Sequence, residues 1–337
     1  MKKILLPVVF SLAVATVCHA DGTFHLLKEI RVGGDGGWDY LTVDSAAQRL
    51  YVSHATKVVV IDLAKDAVLG EITNTPGVHG LAIAPDLNRG FTSNGKENKA
   101  GIVDLKTWQT LSKVDTGANP DGMLYEPGRQ EVYMFNGRGE SATVIDAKSG
   151  KVVATIPLGG KPEFAAADPK AGRVFNNLED KNEVVAIDTK THTVTNRWPI
   201  APGEEASGMA FDEKNHRLFL GCGGSKTMVM LDSTSGKVLA SVPIGDGVDA
   251  NSFDPATMLA FASCGDGTVT IAHEDAPDKL TVVQTLKTEK GSRTMTIDPA
   301  THKIYLAAAK FDAPAEGQRR GKMAAGSFKI LVYGPEK

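Results

Sequence analysis

The chain has 337 residues, with 37 Lys and Arg against 40 Asp and Glu, a formal charge of −3. It shows no basic stripe to track a phosphate backbone and is only 6% aromatic, which argues against single-stranded nucleic-acid binding. Three cysteines are too few for a disulfide scaffold.

Lys2 and Lys3 precede an apolar run from Ile4 to Val17 that ends in Cys18-His19-Ala20. A basic start, a short apolar core and small residues before a cut describe a secretory signal peptide, cleaved after Ala20. The run is too short for a comfortable membrane span. A lipoprotein at Cys18 fits worse, because bulky Val17 stands directly before the cysteine. The expected product is a periplasmic protein of residues 21–337. Without Lys2 and Lys3 it carries 35 basic and 40 acidic residues, a charge of −5.

From there the chain repeats. Val43-Asp44, Ala84-Pro85, Tyr125-Glu126, Ala167-Asp168, Phe211-Asp212, Phe253-Asp254 and Ile297-Asp298 follow one another at spacings of 41, 41, 42, 44, 42 and 44 residues. Ile61-Asp62, Val103-Asp104, Ile145-Asp146, Ile187-Asp188 and Leu231-Asp232 keep a second register. Val-, Ile- and Thr-rich runs bounded by Gly, Pro, Asp and Lys read as short strands and turns. A period in the low forties with several strands per unit predicts an all-β, seven-bladed β-propeller. Each first motif closes an inner strand, and a second strand follows, as in Arg49–Ser53 or Arg173–Asn176. A third strand runs into each second motif. Unit six departs from this, with Ile271-Ala272 in place of an acidic turn.

The last unit lacks a fourth strand, while His25–Gly33 matches the fourth-strand pattern of Val153–Gly159. The N-terminal strand is therefore expected to complete the C-terminal blade and close the ring, leaving no open edge.

RLYVS (Arg49–Ser53), VVVID (Val58–Asp62), GKVVATIPLGGKPEFAAADP (Gly150–Pro169) and KIYLAA (Lys303–Ala308) give the chain its family look. It resembles the YVTN-type, YncE-like family of exported bacterial seven-bladed propellers. The resemblance covers essentially all of the expected mature chain. It implies fold and export but no one reaction, since the family shares a scaffold.

The same resemblance implies that the residue at the head of each inner strand faces a central funnel. Those residues are Asp39, His79, Asp121, Glu163, Ser207, Asp249 and Arg293. Carboxylates converging there repel one another, which raises their pKa values or recruits a cation. Asp121, Glu163 and Asp249 are the expected ligands of one divalent metal ion. Loops after the second strands add His54, Asn94, Asn136, Asn176, Cys222, Cys264 and Lys310. Each Asn taken singly reads as a turn residue, because Asn tolerates the left-handed backbone; as a set they place amides round the funnel. Cys222 and Cys264 hold equivalent slots in adjacent blades. At a ring radius near 10 Å they would stand ~9 Å apart, beyond the ~7 Å a disulfide spans, while export favours a bond; the pairing stays open. His192, His216 and His302 fall in hairpin turns and read as solvated surface. His79 is a loop residue or, beside Asp39 and Asp121, a ligand or general base.

One insertion breaks the repeat. Residues 310–327 lengthen the blade-seven loop and hold Lys310, Arg319, Arg320 and Lys322. They read as a mobile basic lid able to clamp an anionic ligand or close on the carboxylates. Gly33-Gly34-Asp35-Gly36-Gly37 opens no helix and so is a crossing, not a phosphate loop.

Two functions fit. The first is a monomeric periplasmic binding or interaction-scaffold protein whose funnel takes a small ligand or a periplasmic protein. The second is a divalent-metal-dependent hydrolase of lactones or related esters, as in gluconolactonase-like propellers, which hold a cation with a carboxylate–amide set. Glu163, Asn136, Asn176 and Asp249 offer those residue types, at the spacing of the generic repeat and not of that family's motif. Three tryptophans are too few for the repeated docking signals of a quinone-cofactor dehydrogenase.

Overall fold

The computed structural model describes residues 23–313 and 321–336. The expected signal peptide, Cys18, Arg319 and Arg320 lie outside the described residues.

Seven antiparallel four-stranded sheets stand round a central axis, a seven-bladed β-propeller. The inner strands, blades one to seven, are Trp38–Asp44, Val78–Ala84, Pro120–Glu126, Pro162–Asp168, Ala206–Asp212, Val248–Asp254 and Met295–Asp298. Six end on the acidic residue of the marked pair, and blade two ends one place earlier, on Ala84 before Pro85. In blade seven the outermost strand is Phe24–Arg31, paired with Lys329–Pro335 from the far end of the chain. The inner strands of blades one and seven pack together, so the ring closes as expected.

Blade stacking explains the burial pattern. The second strand of blade three, Glu131–Asn136, is buried at every residue because a neighbouring sheet covers each of its faces. The fourth strand, Val152–Pro157, lies open to solvent at the rim, with only Ile156 buried. One feature escaped the sequence reading. The third residue of every second strand is aromatic: Tyr51, Phe91, Tyr133, Phe175, Phe219, Phe261 and Tyr305, each at most 3% exposed. Burying each ring contributes roughly 2–3 kcal/mol. These seven rings make the blades adhere.

Blade six keeps the ladder where its acidic turn is missing, by lengthening strands three and four to Thr268–Ala276 and Lys279–Lys287.

The lower ends of the inner strands are tied off by hydrogen bonds. Asp44 accepts from the Ala47 N–H at 2.9 Å, Asp168 from Ala171 at 3.0 Å and Asp254 from Ala256 at 3.0 Å. Histidines expected on the solvated surface take part in this rim. His302 Nδ1 donates to Asp254 at 2.7 Å, and His192 Nε2 to Glu131 at 2.9 Å, each from one blade to its predecessor. Buried carboxylates need such partners, which is why these turns are not free. His216 stays half exposed, 3.9 Å from Asp168.

Candidate functional site

The upper ends of the same strands are built differently. In six blades the ladder to the second strand slips at its head: between Trp38 and Leu41, Val78 and Leu81, Pro120 and Met123, Pro162 and Ala165, Ala206 and Gly208, and Val248 and Ala250. A bulge leaves a residue unpaired and re-aims its side chain. The residues so released are Asp39, His79, Asp121, Glu163, Ser207 and Asp249. In blade seven the strand starts only at Met295, so Arg293 stands in the crossing before it.

These residues line one cavity of ≈ 340 Å³, together with Tyr40, Lys161, Phe164, Glu179 and Val248. Below the ionisable ring the Tyr40 and Phe164 rings meet across the axis, centroids 4.5 Å apart. Blades two, three and five carry glycine in that slot, and blades six and seven Ala250 and Thr294. A Cβ on Gly122 would stand 2.3 Å from the Glu163 carbonyl oxygen, so this close approach of blades three and four requires glycine. The Tyr40 hydroxyl is buried and has no hydrogen-bond partner.

Five carboxylates face two permanent cations and one histidine in this space. His79 Nδ1 lies 2.8 Å from Asp39 Oδ2 and 3.2 Å from Asp121 Oδ1. Carboxylates only accept, so Nδ1 carries the proton. Lys161 Nζ binds Glu163 at 2.6 Å and also Glu179. Arg293 Nε reaches Asp249 at 3.4 Å. The cations do not cancel the charge. Burial, opposed by His79 and reinforced by Asp39, pushes Asp121 up to about 6. Burial and the Asp121 charge, opposed by Lys161, push Glu163 up to about 7. Burial, opposed by Arg293 and reinforced by Asp39 and Glu163, pushes Asp249 up to about 7. Burial disfavours the imidazolium of His79, but the Asp39 hydrogen bond and the surrounding carboxylates outweigh it and raise its pKa. Burial, then Asp121 and Glu163, hold the Tyr40 hydroxyl well above its ordinary range.

The structure rearranges the expected metal set. Among the described residues, Asp39, His79 and Asp121 each offer a donor atom within 4.8 Å of the other two. Of Asp121, Glu163 and Asp249, only Asp121 belongs to that group. Glu163 and Asp249 stand farther round the ring, each held by its own cation. A second cavity of ≈ 490 Å³ shares Asp39 and His79 with the first and is bordered by Lys96 and Arg138.

The expected second ring lies behind the funnel wall. His54, Asn94, Asn136 and Asn176 are 0% exposed and line neither cavity. Each terminates or continues a second strand, where its side chain turns between blades. His54 stacks on Phe328 with centroids 4.2 Å apart, and a Cβ at Gly34 would press on its ring, so the glycine run is a tight crossing. Asn94 Nδ2 donates to Glu97 at 2.9 Å, and Asn136 Nδ2 to Thr143 at 3.1 Å. Asn176 Nδ2 donates to the Phe164 carbonyl at 2.9 Å, which steadies the strand below Glu163. Cys222 and Cys264 are free and buried, and burial pushes each thiol up to about 12, which makes them inert fillers.

Lys310 is exposed at the base of the insertion and lines neither cavity. That base is a fastened hairpin stem: Asp312 N donates to Lys322 O at 2.9 Å, Ala324 N to Lys310 O at 2.9 Å, and Phe311 packs on Trp38.

Tyr40, Lys161, Phe164 and Glu179 were missed as site residues. Tyr40 and Phe164 carried a signal, since both stand in the repeat slot that holds Gly80, Gly122 and Gly208. Lys161 and Glu179 carried none, because their place depends on how two loops of blade four meet. Compared with known proteins, the chain matches no protein-family model and no curated protein sequence.

Proposed function

We propose that the chain is an exported binding protein that takes a small cationic ligand into the funnel at the heads of the inner strands. The observation that carries this is the charge imbalance of the ≈ 340 Å³ cavity, with five carboxylates against Lys161, Arg293 and His79. Carboxyl groups held above their ordinary range release free energy when a cation arrives, which converts electrostatic strain into affinity. Export rests on the leader pattern before Asp21 and on the resemblance to YVTN-type, YncE-like propellers. The fold agrees with a binding or scaffold role, and the reading needs no basic lid.

Calorimetric titration with diamines and basic amino acids tests it. One site per chain is expected, weakened at least about tenfold by Asp249→Asn. Failure of every organic cation to bind would overturn the reading. The second reading, a divalent-metal-dependent hydrolase of lactones or related esters, draws support from the gathering of Asp39, His79 and Asp121. Turnover of a lactone panel that vanishes in His79→Ala would favour it.

A further inference from the structure

Three side chains from the heads of three consecutive blades converge in the funnel. His79 Nδ1 sits 2.8 Å from Asp39 Oδ2 and 3.2 Å from Asp121 Oδ1. A single proton on Nδ1 therefore serves two anions, and the trio keeps net negative charge even with the imidazole protonated. The two cations of this cavity are committed elsewhere, Lys161 to Glu163 and Glu179 and Arg293 to Asp249, while Lys96 and Arg138 border the second cavity. A proton here does a job that a multivalent ion does better.

A separate observation points to a bound group. The Tyr40 hydroxyl is buried without a partner. It lies against the wall just below the trio, since a Cβ on Gly122, the residue after Asp121, would come 3.4 Å from it. An orphaned hydroxyl at the floor of a polar cavity costs free energy unless something in the cavity takes its hydrogen bond.

The geometry points to a divalent transition-metal site in which Asp39, His79 Nδ1 and Asp121 are the ligands and the Tyr40 hydroxyl meets an oxygen on the ion. Imidazole with carboxylates suits zinc, cobalt, nickel or copper, whereas calcium and magnesium prefer all-oxygen shells. The ligands come from three rigid strands at bulged positions, so the site is preorganised by the ring itself. Three protein ligands leave further positions open towards the funnel, which is how a binding or catalytic site differs from a closed structural one. This rests on the reading of the funnel as a ligand site and assigns its blade-one-to-three side to metal, leaving Glu163 and Asp249 to an organic cation.

The full chain, stripped with chelator, would be titrated with Co²⁺ and followed by visible absorption, with Zn²⁺ as competitor. One Co²⁺ per chain with visible ligand-field bands is expected, displaced by Zn²⁺. His79→Ala and Asp121→Asn should each weaken binding about 100-fold, and Tyr40→Phe by about tenfold. Lys310→Ala, at a residue that lines neither cavity, should leave it intact. If Asp121→Asn does not fold, Asp39→Asn serves in its place. Absence of binding at micromolar free ion, or stoichiometric binding that survives His79→Ala, overturns the assignment. Diamine binding lost in Asp249→Asn while Co²⁺ binding is absent would sink the metal site and leave the binding function standing; loss of both would sink the two together.

Discussion

In blades one, three, four and six the inner strand carries an acid near both ends, and the two ends use it in opposite ways. Asp254, at the lower end of blade six, is 0% exposed, accepts from the Ala256 N–H at 3.0 Å and pairs with His302 at 2.7 Å. Asp249, five residues earlier on the same strand, faces the funnel with one long contact to Arg293 at 3.4 Å, and its pKa is pushed up. The same side chain therefore fastens the fold at one rim and stores unrelieved charge at the other. What decides is the backbone. A turn brings N–H donors to the carboxylate, whereas a bulge turns the carboxylate away from its own strand into shared space.

The largest effect should come from breaking the fastened rim. Asp254→Ala leaves the Ala256 N–H without its partner and His302 facing an apolar hole, and is expected to cost about 3 kcal/mol. Denaturant midpoints would show this, while diamine affinity in the folded variant should hold. A loss below about 1 kcal/mol would mean that the lower rim is not the structural one. At the funnel the sign should reverse. Glu163→Gln removes a buried charge that Asp121 opposes, so at pH 8 the metal-free protein should gain stability on the order of 1 kcal/mol. A destabilised variant that binds diamines normally would erase the distinction between the rims.

The pH dependence sharpens the contrast. Glu163 and Asp249 have folded values of about 7, above those of the unfolded chain. Their stabilising contribution is complete only below the ordinary carboxylate range and is lost as pH rises from there through about 7. Asp146 and Asp188 behave the other way. The Ser149 hydroxyl and N–H lower the first, and the Thr191 N–H and hydroxyl lower the second. Their contribution is present above the ordinary carboxylate range and disappears as pH falls below it. Thermal melts of the metal-free protein should therefore show stability declining from about pH 5 to about pH 7, a slope that Glu163→Gln with Asp249→Asn flattens. A flat wild-type profile over that interval would contradict the raised values.

The repeat made the fold legible because strand, turn and period all follow from local chemistry: Ile-Asp motifs close strands, and a low-forties spacing closes a ring. The funnel residues were legible for the same reason, since one register slot supplies Asp39, His79, Asp121, Glu163, Asp249 and Arg293. Which of them meet was not legible. Which donor atoms gather depends on adjacent blades in space, and that brings Asp39, His79 and Asp121 together. The Asn slot misled because burial is a property of the stack: Asn136 is polar and follows a strand, yet it is 0% exposed between two blades. His192 misled in the mirror sense, reading as surface and pairing instead with Glu131 across a blade boundary.

The smallest effect should come from a fastened turn at the outer edge. Asp188 is held by the N–H groups of Lys190 at 3.0 Å and Thr191 at 2.7 Å, and the Thr191 hydroxyl adds a third bond at 2.9 Å. Thr191→Ala removes that third bond and the 2.8 Å bond of the same hydroxyl to Thr193, at an exposed site where water replaces both, so the loss should stay below about 0.5 kcal/mol. The two backbone bonds keep Asp188 below its ordinary range, and the acid limb of the stability profile should barely move. A loss several times larger would show that the hydroxyl, and not the turn backbone, satisfies this carboxylate. Backbone donors would then no longer explain why one end of a strand is quiet and the other charged.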